Sequence, residues 1–328
     1  MDLSGKKILL FHPYGSCRHY GMAMINEMER RGAKVTEYDE RPSQSGVSKT
    51  LIKIFKRSVP QFFNNYIKHI IAKHNKDEFD YIIIVRGEAF TKETCFILRE
   101  KFSHAKIILY LWDTLEVNNL AHLVPYCDRA LSFDMDDSQT VEGLVFRPTF
   151  FVPDYLSLNQ EVNKEYDICF IGTVHSNRHN IIDLFKEKFE YYGYKSYFYL
   201  YLPSVLMYLA YSVTKFPYIS IKRVNFSPIS LNDTVKVVEK SKCILDINYS
   251  TQTSLSMRAL EALAAKRKYI TTNPRIKDYD FYDSDNILII DISNPVIPNS
   301  FVSSPYKSIN TDILKKYSVE TFIDDLLG

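Results

Sequence analysis

Cysteine is scarce and scattered in this chain of 328 residues: Cys17, Cys95, Cys127, Cys169 and Cys243 show no C-x-x-C spacing. Their odd number argues against a disulfide framework and for a reduced compartment. An excess of charge of one sign is also missing. With 41 Lys and Arg against 39 Asp and Glu, the net charge of +2 is too small for nucleic acid to be the main partner. No charged-then-apolar export pattern precedes Ile8–Phe11, so the cytosol is the expected address. Short-period repeats and low-complexity tracts are lacking. The uncharged, Tyr-rich segment between Lys195 and Lys215 approaches a membrane span in length, but it carries Pro203 and many hydroxyl groups. It reads as a strand followed by a helix. For its Val205–Tyr211 portion, burial in the core is weighed against contact with a membrane surface.

What is present is the material of two ordinary folded domains: 46% hydrophobic and 24% charged residues, enough for two full cores. Short apolar runs at Lys7–Phe11, Lys34–Tyr38, Tyr81–Val85, Lys106–Trp112 and Arg129–Phe133 alternate with helical patterns over Tyr20–Arg31, Ser48–Lys76 and Lys92–Phe102. That alternation predicts a parallel α/β domain over residues 1–150. Two prolines, Pro148 and Pro153, and a polar run read as a linker over 151–165. The pattern restarts at Tyr166–Gly172 with a helix from about Arg178 to Phe189. Later strands at Cys243–Ile247, Tyr269–Thr272 and Asn286–Asp291 make 166–305 a second Rossmann-like domain. Residues 306–328, with amphipathic helices over Asp312–Leu327, are expected to pack back on the first. Two such domains facing each other make a cleft at the carboxyl ends of both sheets, where open α/β folds bind ligands.

The most informative stretch runs from Ser256 to Asn273. Arg258 and Glu261 are spaced i, i+3 and share a helix face, with Leu260, Leu263 and Ala264 on the apolar side. An arginine near a helix start suits a diphosphate, and a carboxylate one turn later suits two ribose hydroxyls. A solvated intrahelical ion pair is the plainer alternative.

The blocks Arg86-Gly-Glu88, Tyr110-Leu-Trp-Asp-Thr114, Ser132-Phe-Asp-Met-Asp-Asp137, Tyr166 through Arg178, Gln252 through Glu261 and Ile270-Thr-Thr-Asn273 carry a resemblance. In that order, across most of the chain, the sequence resembles bacterial capsule and lipopolysaccharide glycosyltransferases of the GT-B type, an α/β fold of two Rossmann-like domains facing across a cleft. The resemblance implies that the C-terminal domain holds a nucleotide-diphosphate sugar, UDP-linked in expectation, and that the N-terminal domain receives a glycan or lipid-linked acceptor. It assigns the ribose hydroxyls to Glu261 and the diphosphate to Arg258, with N–H groups from Gln252 to Met257 around the phosphates. One departure stands out. Members of this group tend to have glycine, leucine and threonine before the Met-Arg pair, where this chain has Ser254-Leu-Ser256, and serine lacks glycine's freedom at positive φ.

Retaining enzymes of this fold often carry two glutamates eight positions apart, and Thr253 stands where the first would be. Inversion is therefore the expectation, with one side chain deprotonating the acceptor hydroxyl. Candidates for that base are Asp113, Glu88 and His12, with His19 beside it. For Asp113 the plainer reading is a helix N-cap. Arg86 is close enough in sequence to hold Glu88 ionised. Tyr14, Arg18 and His19 belong to the loop after the first strand, which together with Arg86 faces the acceptor. On the donor side, Gly172, Thr173, His175 and Arg178 form a loop entering a helix, Gln252, Ser254 and Ser256 precede Arg258, and Asn273 ends a strand where a turn before Pro274 explains it as well. Asp134-Met-Asp136 has metal-motif spacing but follows a strand in the wrong domain for the donor; no metal and no cofactor are expected. The basic stretch Lys49, Lys53, Lys56, Arg57, Lys68 and Lys73, interleaved with Phe62, Phe63 and Ile67, is weighed between a dock for anionic headgroups at the inner leaflet and the solvated face of a core helix. Two other classes stay open: a two-domain nucleotide-sugar epimerase and a non-catalytic nucleotide-sugar-binding subunit.

Overall fold

A computed structural model describes residues 1–42, 59–174, 178–214, 220–248 and 253–328. The chain divides into two compact units, one of residues 1–150 with 317–328 and one of residues 151–316.

The first unit is built on six parallel strands: β1 (Lys7–His12), β2 (Lys34–Asp39), β3 (Tyr81–Val85), β4 (Lys106–Leu111), β5 (Arg129–Ser132) and β6 (Leu144–Phe146). Their order is β2-β1-β3-β4-β5-β6. Parallel strands covered on both faces read as unbroken apolar runs, and Ile82, Ile83, Ile84 and Val85 of β3 are all fully buried. Each such side chain contributes about 1.5–3 kcal/mol. The Val59–Lys73 helix buries Phe63 and turns Ile67, Ile70 and Ile71 into the core cluster that includes Phe11, Phe79 and Ile82. Two residues offered from sequence as apolar contacts for a lipid surface, Phe63 and Ile67, are therefore core residues. Lys68 on the other side pairs with Glu93 at 2.6 Å. Lys49, Lys53, Lys56 and Arg57 lie outside the described residues.

The last helix, Val319–Leu327, closes the first unit by burying Phe322, Ile323 and Leu326. Phe322 meets the Tyr110 ring edge-on at 4.9 Å, and the Arg147 guanidinium lies over the Phe322 ring, 5.4 Å from its centre, with Nε 2.7 Å from Asp325 Oδ2. The residues read as one group of C-terminal helices are thus divided, with Thr311–Lys316 in the second unit and Val319–Leu327 in the first.

The second unit repeats the design with β7 (Tyr166–Thr173), β8 (Ser196–Tyr201), β9 (Val224–Asn225), β10 (Ser241–Asp246), β11 (Lys268–Thr271) and β12 (Ile287–Ile289), all parallel in the order β12-β11-β10-β7-β8-β9. Residues 151–165, which read as a linker, are packed into this unit: Val152 and Tyr155 are buried, and Asn159 N–H donates to Glu239 at 2.8 Å. The Val205–Thr214 helix lays Met207 and Tyr208 on the core while Leu206 and Leu209 stay exposed. Among the described residues, no helix is long and apolar enough to cross a membrane.

Candidate functional site

In each sheet the strand order reverses beside the first strand, between β1 and β3 and between β7 and β10, and the carboxyl ends of strands at such a point are where open α/β sheets bind ligands. Of the described residues singled out from sequence, His12 ends β1 and Arg86 follows β3 in the first unit, and Gly172 and Thr173 end β7 in the second.

In the second unit the Met257–Ala264 helix follows β10 and a short loop. Its apolar residues Ala259, Leu260 and Leu263 are buried, and so is Glu261, at 3% exposure. Arg258 Nη1 lies 2.6 Å from Glu261 Oε2, and Arg258 Nη2 donates to Ile171 O of β7 at 3.4 Å. This is not the solvated surface pair that i, i+3 spacing usually yields. A buried carboxylate carries a desolvation cost, which the arginine beside it offsets. Tyr155 is fully buried beside it; burial first, and then the neighbouring Glu261 carboxylate, push the phenol pKa up. Sequence analysis did not point to Tyr155, because it sits just after Pro153 in the stretch that reads as a linker.

Ser256 is the N-cap of the same helix, yet its hydroxyl makes no capping bond. It donates instead to Asp246 Oδ2 at 2.6 Å, a carboxylate oxygen that also accepts from Tyr269 at 2.8 Å. Ala259 N–H donates to Ser256 O at 3.1 Å, and the helix dipole at this end favours an anion. Ser254 is buried, and the loop's departure from glycine carries no strain: among the described residues only Arg86 and Lys266 are non-glycines at positive φ. Asn273 caps the short Pro274–Asp278 helix through Arg275 N and donates to Thr253 O and Ser254 O at 3.3 and 3.2 Å. It shapes the loop, the turn reading of this residue. Gly172 and Thr173 end β7, half-buried, and Arg178 begins the next helix. His175 and Gln252 lie outside the described residues.

In the first unit, His12 ends β1 and is fully buried, with Nε2 2.7 Å from Glu37 Oε2. Arg18 Nη2 binds the other oxygen of Glu37 at 2.8 Å and its guanidinium lies 4.5 Å from the Tyr14 ring centre, which in turn sits 4.9 Å from His12. Burial lowers the His12 pKa more than Glu37 raises it. Burial also works to raise Glu37, but hydrogen bonds from His12, Arg18 and Tyr14 outweigh it and hold the carboxyl below its usual range. The Tyr14 phenol is pushed up to about 12, by burial and then Glu37. His19 is stacked on Tyr20 with ring centres 4.2 Å apart.

Arg86 follows β3 in the left-handed region, φ 73°, with Gly87 next at φ 80°. Two consecutive positive φ values, one on a non-glycine, are strain of the kind that functional turns retain. Arg86 N–H donates to Tyr110 O at 2.8 Å, and its guanidinium grips Glu40. Its expected partner Glu88 lies within ion-pair reach at 3.8 Å and is bound more closely by Arg41. Glu40 is the residue that sequence reading missed. It is fully buried, accepts Glu88 N–H at 3.1 Å, and its pKa is raised by burial despite Arg86 and Arg41. Asp113 follows β4 and adds its charge to this group, raising Glu40 further. No helix follows Asp113, and no described residue donates a hydrogen bond to it. The N-cap alternative is thereby removed. Asp134, by contrast, is a cap, accepting Asp137 N–H at 3.1 Å, while Asp137 accepts Leu115 N–H at 2.8 Å. Among the described residues no group of three or more His, Cys, Asp or Glu side chains is placed to hold a metal ion.

No family model matches the chain, and no curated protein matches it by sequence. Solved structures do. HepE from Anabaena, in complex with UDP and glucose, aligns over 98% of this chain and 99% of its own with a TM-score of 0.56 and 12% identity. The UDP-GlcNAc 2-epimerase of Methanocaldococcus jannaschii, in complex with UDP-GlcNAc and UDP, gives 0.55 at 11% identity over 98% and 99%. The catalytic domain of starch synthase IV from Arabidopsis thaliana, bound to ADP and acarbose, gives 0.53 at 8% identity over 99% of both. At such identities the likeness speaks for the fold. With two parallel six-stranded sheets and near-complete coverage on both sides, the chain has the α/β fold of two Rossmann-like domains known as GT-B.

Proposed function

We propose that the chain is a glycosyltransferase that takes a sugar from a nucleotide-diphosphate donor, UDP-linked, and passes it to a glycan or lipid-linked glycan in surface polysaccharide synthesis, with inversion and without a metal. The observation that carries this reading is the pair of half-buried Arg258 and buried Glu261 at the N-terminus of the Met257–Ala264 helix. Glu261 accepts the two ribose hydroxyls, and Arg258 with the first helix N–H groups takes the diphosphate. Asp113 removes the proton of the acceptor hydroxyl as its oxygen attacks the anomeric carbon in line. The bond to the diphosphate breaks, and the electron pair leaves with the nucleotide, whose added charge Arg258 and the helix dipole stabilise. UDP in the Anabaena HepE complex is consistent with that choice of base. The chain acts at the inner leaflet when its acceptor is lipid-linked, with Lys49, Lys53, Lys56 and Arg57 supplying positive charge there.

A second reading, nucleotide-sugar epimerisation, is favoured by the density of acid and base groups around Glu40, Glu88 and Asp113, since an epimerase needs both on one sugar. Incubating the chain with UDP-sugars, with and without an oligosaccharide acceptor, separates the readings. Acceptor-dependent UDP release supports transfer, and a new UDP-sugar without UDP release supports epimerisation. Neither change, with UDP still bound, leaves a binding subunit and sinks both.

A further inference from the structure

The second unit holds another charged pocket, of about 260 Å³, at the opposite end of its sheet from the Arg258 pair. It is lined by Lys164, Lys242, Lys266, Arg267, Lys268 and Ser304 among others, with no carboxylate in its wall. Lys242 and Lys268 stand at the amino ends of β10 and β11. Lys242 is neutralised by Asp167 at 2.8 Å. The other four cations form no ion pair with a described residue, and their hydrogen bonds run to neutral oxygens. Arg267, 4% exposed, donates to Val238 O, Ala265 O and Glu239 O and to the Gln160 amide. Lys268, 3% exposed, donates to Phe301 O and Ser304 Oγ, and Lys164 to Glu239 O. Glu239, whose charge still reaches Arg267 and Lys164, accepts Asn159 N–H, and Glu165 beside Lys164 pairs with Lys240.

Two cations nine-tenths buried and unpaired are an expense that folding alone does not require, since burying a charge is unfavourable unless a counter-charge meets it. Burial lowers the pKa of Lys164, Arg267 and Lys268 alike, and for Lys164 the Arg267 charge adds to it. Lys266 makes the same point from the backbone. It caps the Met257–Ala264 helix at φ 53°, a position where glycine is the favoured residue, and holds an exposed ammonium at the pocket instead.

We propose that this pocket is an oxyanion site for a phosphate-class group, bound by Lys164, Lys266, Arg267 and Lys268 and separate from the site at Arg258. The proposal does not depend on the transferase reading. The counter-charge that Glu239, Glu161 and Asp285 lend these cations comes from beyond ion-pair distance, and a multivalent anion in the pocket brings it into contact.

The test is calorimetric titration of the full chain with pyrophosphate, with UDP present, beside a Lys164→Ser/Lys266→Ser variant. The wild type should bind, and the variant at least tenfold more weakly; Lys266→Gly, which suits the backbone at that position, should weaken binding without loss of thermal stability. Equal affinity in wild type and variant, binding abolished by UDP, or no binding at all would each overturn the proposal. Sedimentation with phosphatidylcholine vesicles, with and without phosphatidic acid, identifies the source. Retention by phosphatidic acid that the double variant loses assigns the group to a lipid headgroup, and pyrophosphate binding without retention assigns it to a soluble phosphate compound.

Discussion

Gly21 stands directly against His12: a β-carbon on Gly21 would fall 1.9 Å from His12 Nδ1. Glycine inside a helix normally costs about 0.5–1 kcal/mol relative to alanine, so replacing it should help. Here the sign reverses, because the imidazole is fully buried and tied to Glu37 and cannot step aside. Gly21→Ala is expected to destabilise the chain by about 1–3 kcal/mol, the range for overpacking. Urea unfolding measures this, and a variant more stable than wild type would show that His12 is free to move.

Asp113 is the one carboxylate of its group that no described residue engages by hydrogen bond, whereas Glu88 is held by Arg41 and Glu40 by Arg86. Asp113→Asn is expected to leave UDP affinity unchanged and to lower turnover about 10²–10⁴-fold, the usual contribution of a general base. Full activity in that variant would move the base to Glu88 or His12.

How far this site was legible depends on what kind of residue is asked about. Buried parallel strands announce themselves, as in Tyr81–Val85 and Lys106–Leu111, and so does an i, i+3 pair on an apolar helix such as Arg258 and Glu261. Glu40 was hidden for a physical reason: Asp39-Glu40-Arg41 reads as a solvated turn, and only the pairing of β1 with β2 and β3 brings it under Arg86. Tyr155 and the Asp246–Ser256–Tyr269 hydrogen bonds depend on long-range packing of polar residues, which leaves no period in the sequence. The strand Val224–Asn225 is too short to carry one.

Glu261 and Tyr155 can be separated by conservative changes. Glu261→Gln keeps the shape and removes the charge that Arg258 faces, so UDP affinity should fall by about 1.5–3 kcal/mol, the worth of a hydrogen bond to a charged group. Tyr155→Phe keeps the buried ring and deletes only its hydroxyl, and it should weaken UDP by less than Glu261→Gln does. Equal losses in the two variants, read by calorimetry, would mean that packing rather than the carboxylate sets affinity.

The acid sensitivity of the first unit follows from His12 and Glu37. Burial lowers the His12 pKa below 6.5, so between the folded value and 6.5 the unfolded chain binds more protons than the folded one. Stability from this group is complete above 6.5 and is lost as the pH falls below it. Glu37 is also lowered, from 4.5, so its contribution is complete above 4.5 and is lost at still lower pH. The two windows add in the same direction. Urea midpoints should therefore drop between about pH 7.5 and about pH 5.5, before ordinary carboxylates titrate. His12→Asn should flatten that upper drop and keep the lower one. A wild-type chain that grew more stable on going to about pH 5.5 would show that His12 gains its proton on folding, with Glu37 as the counter-charge.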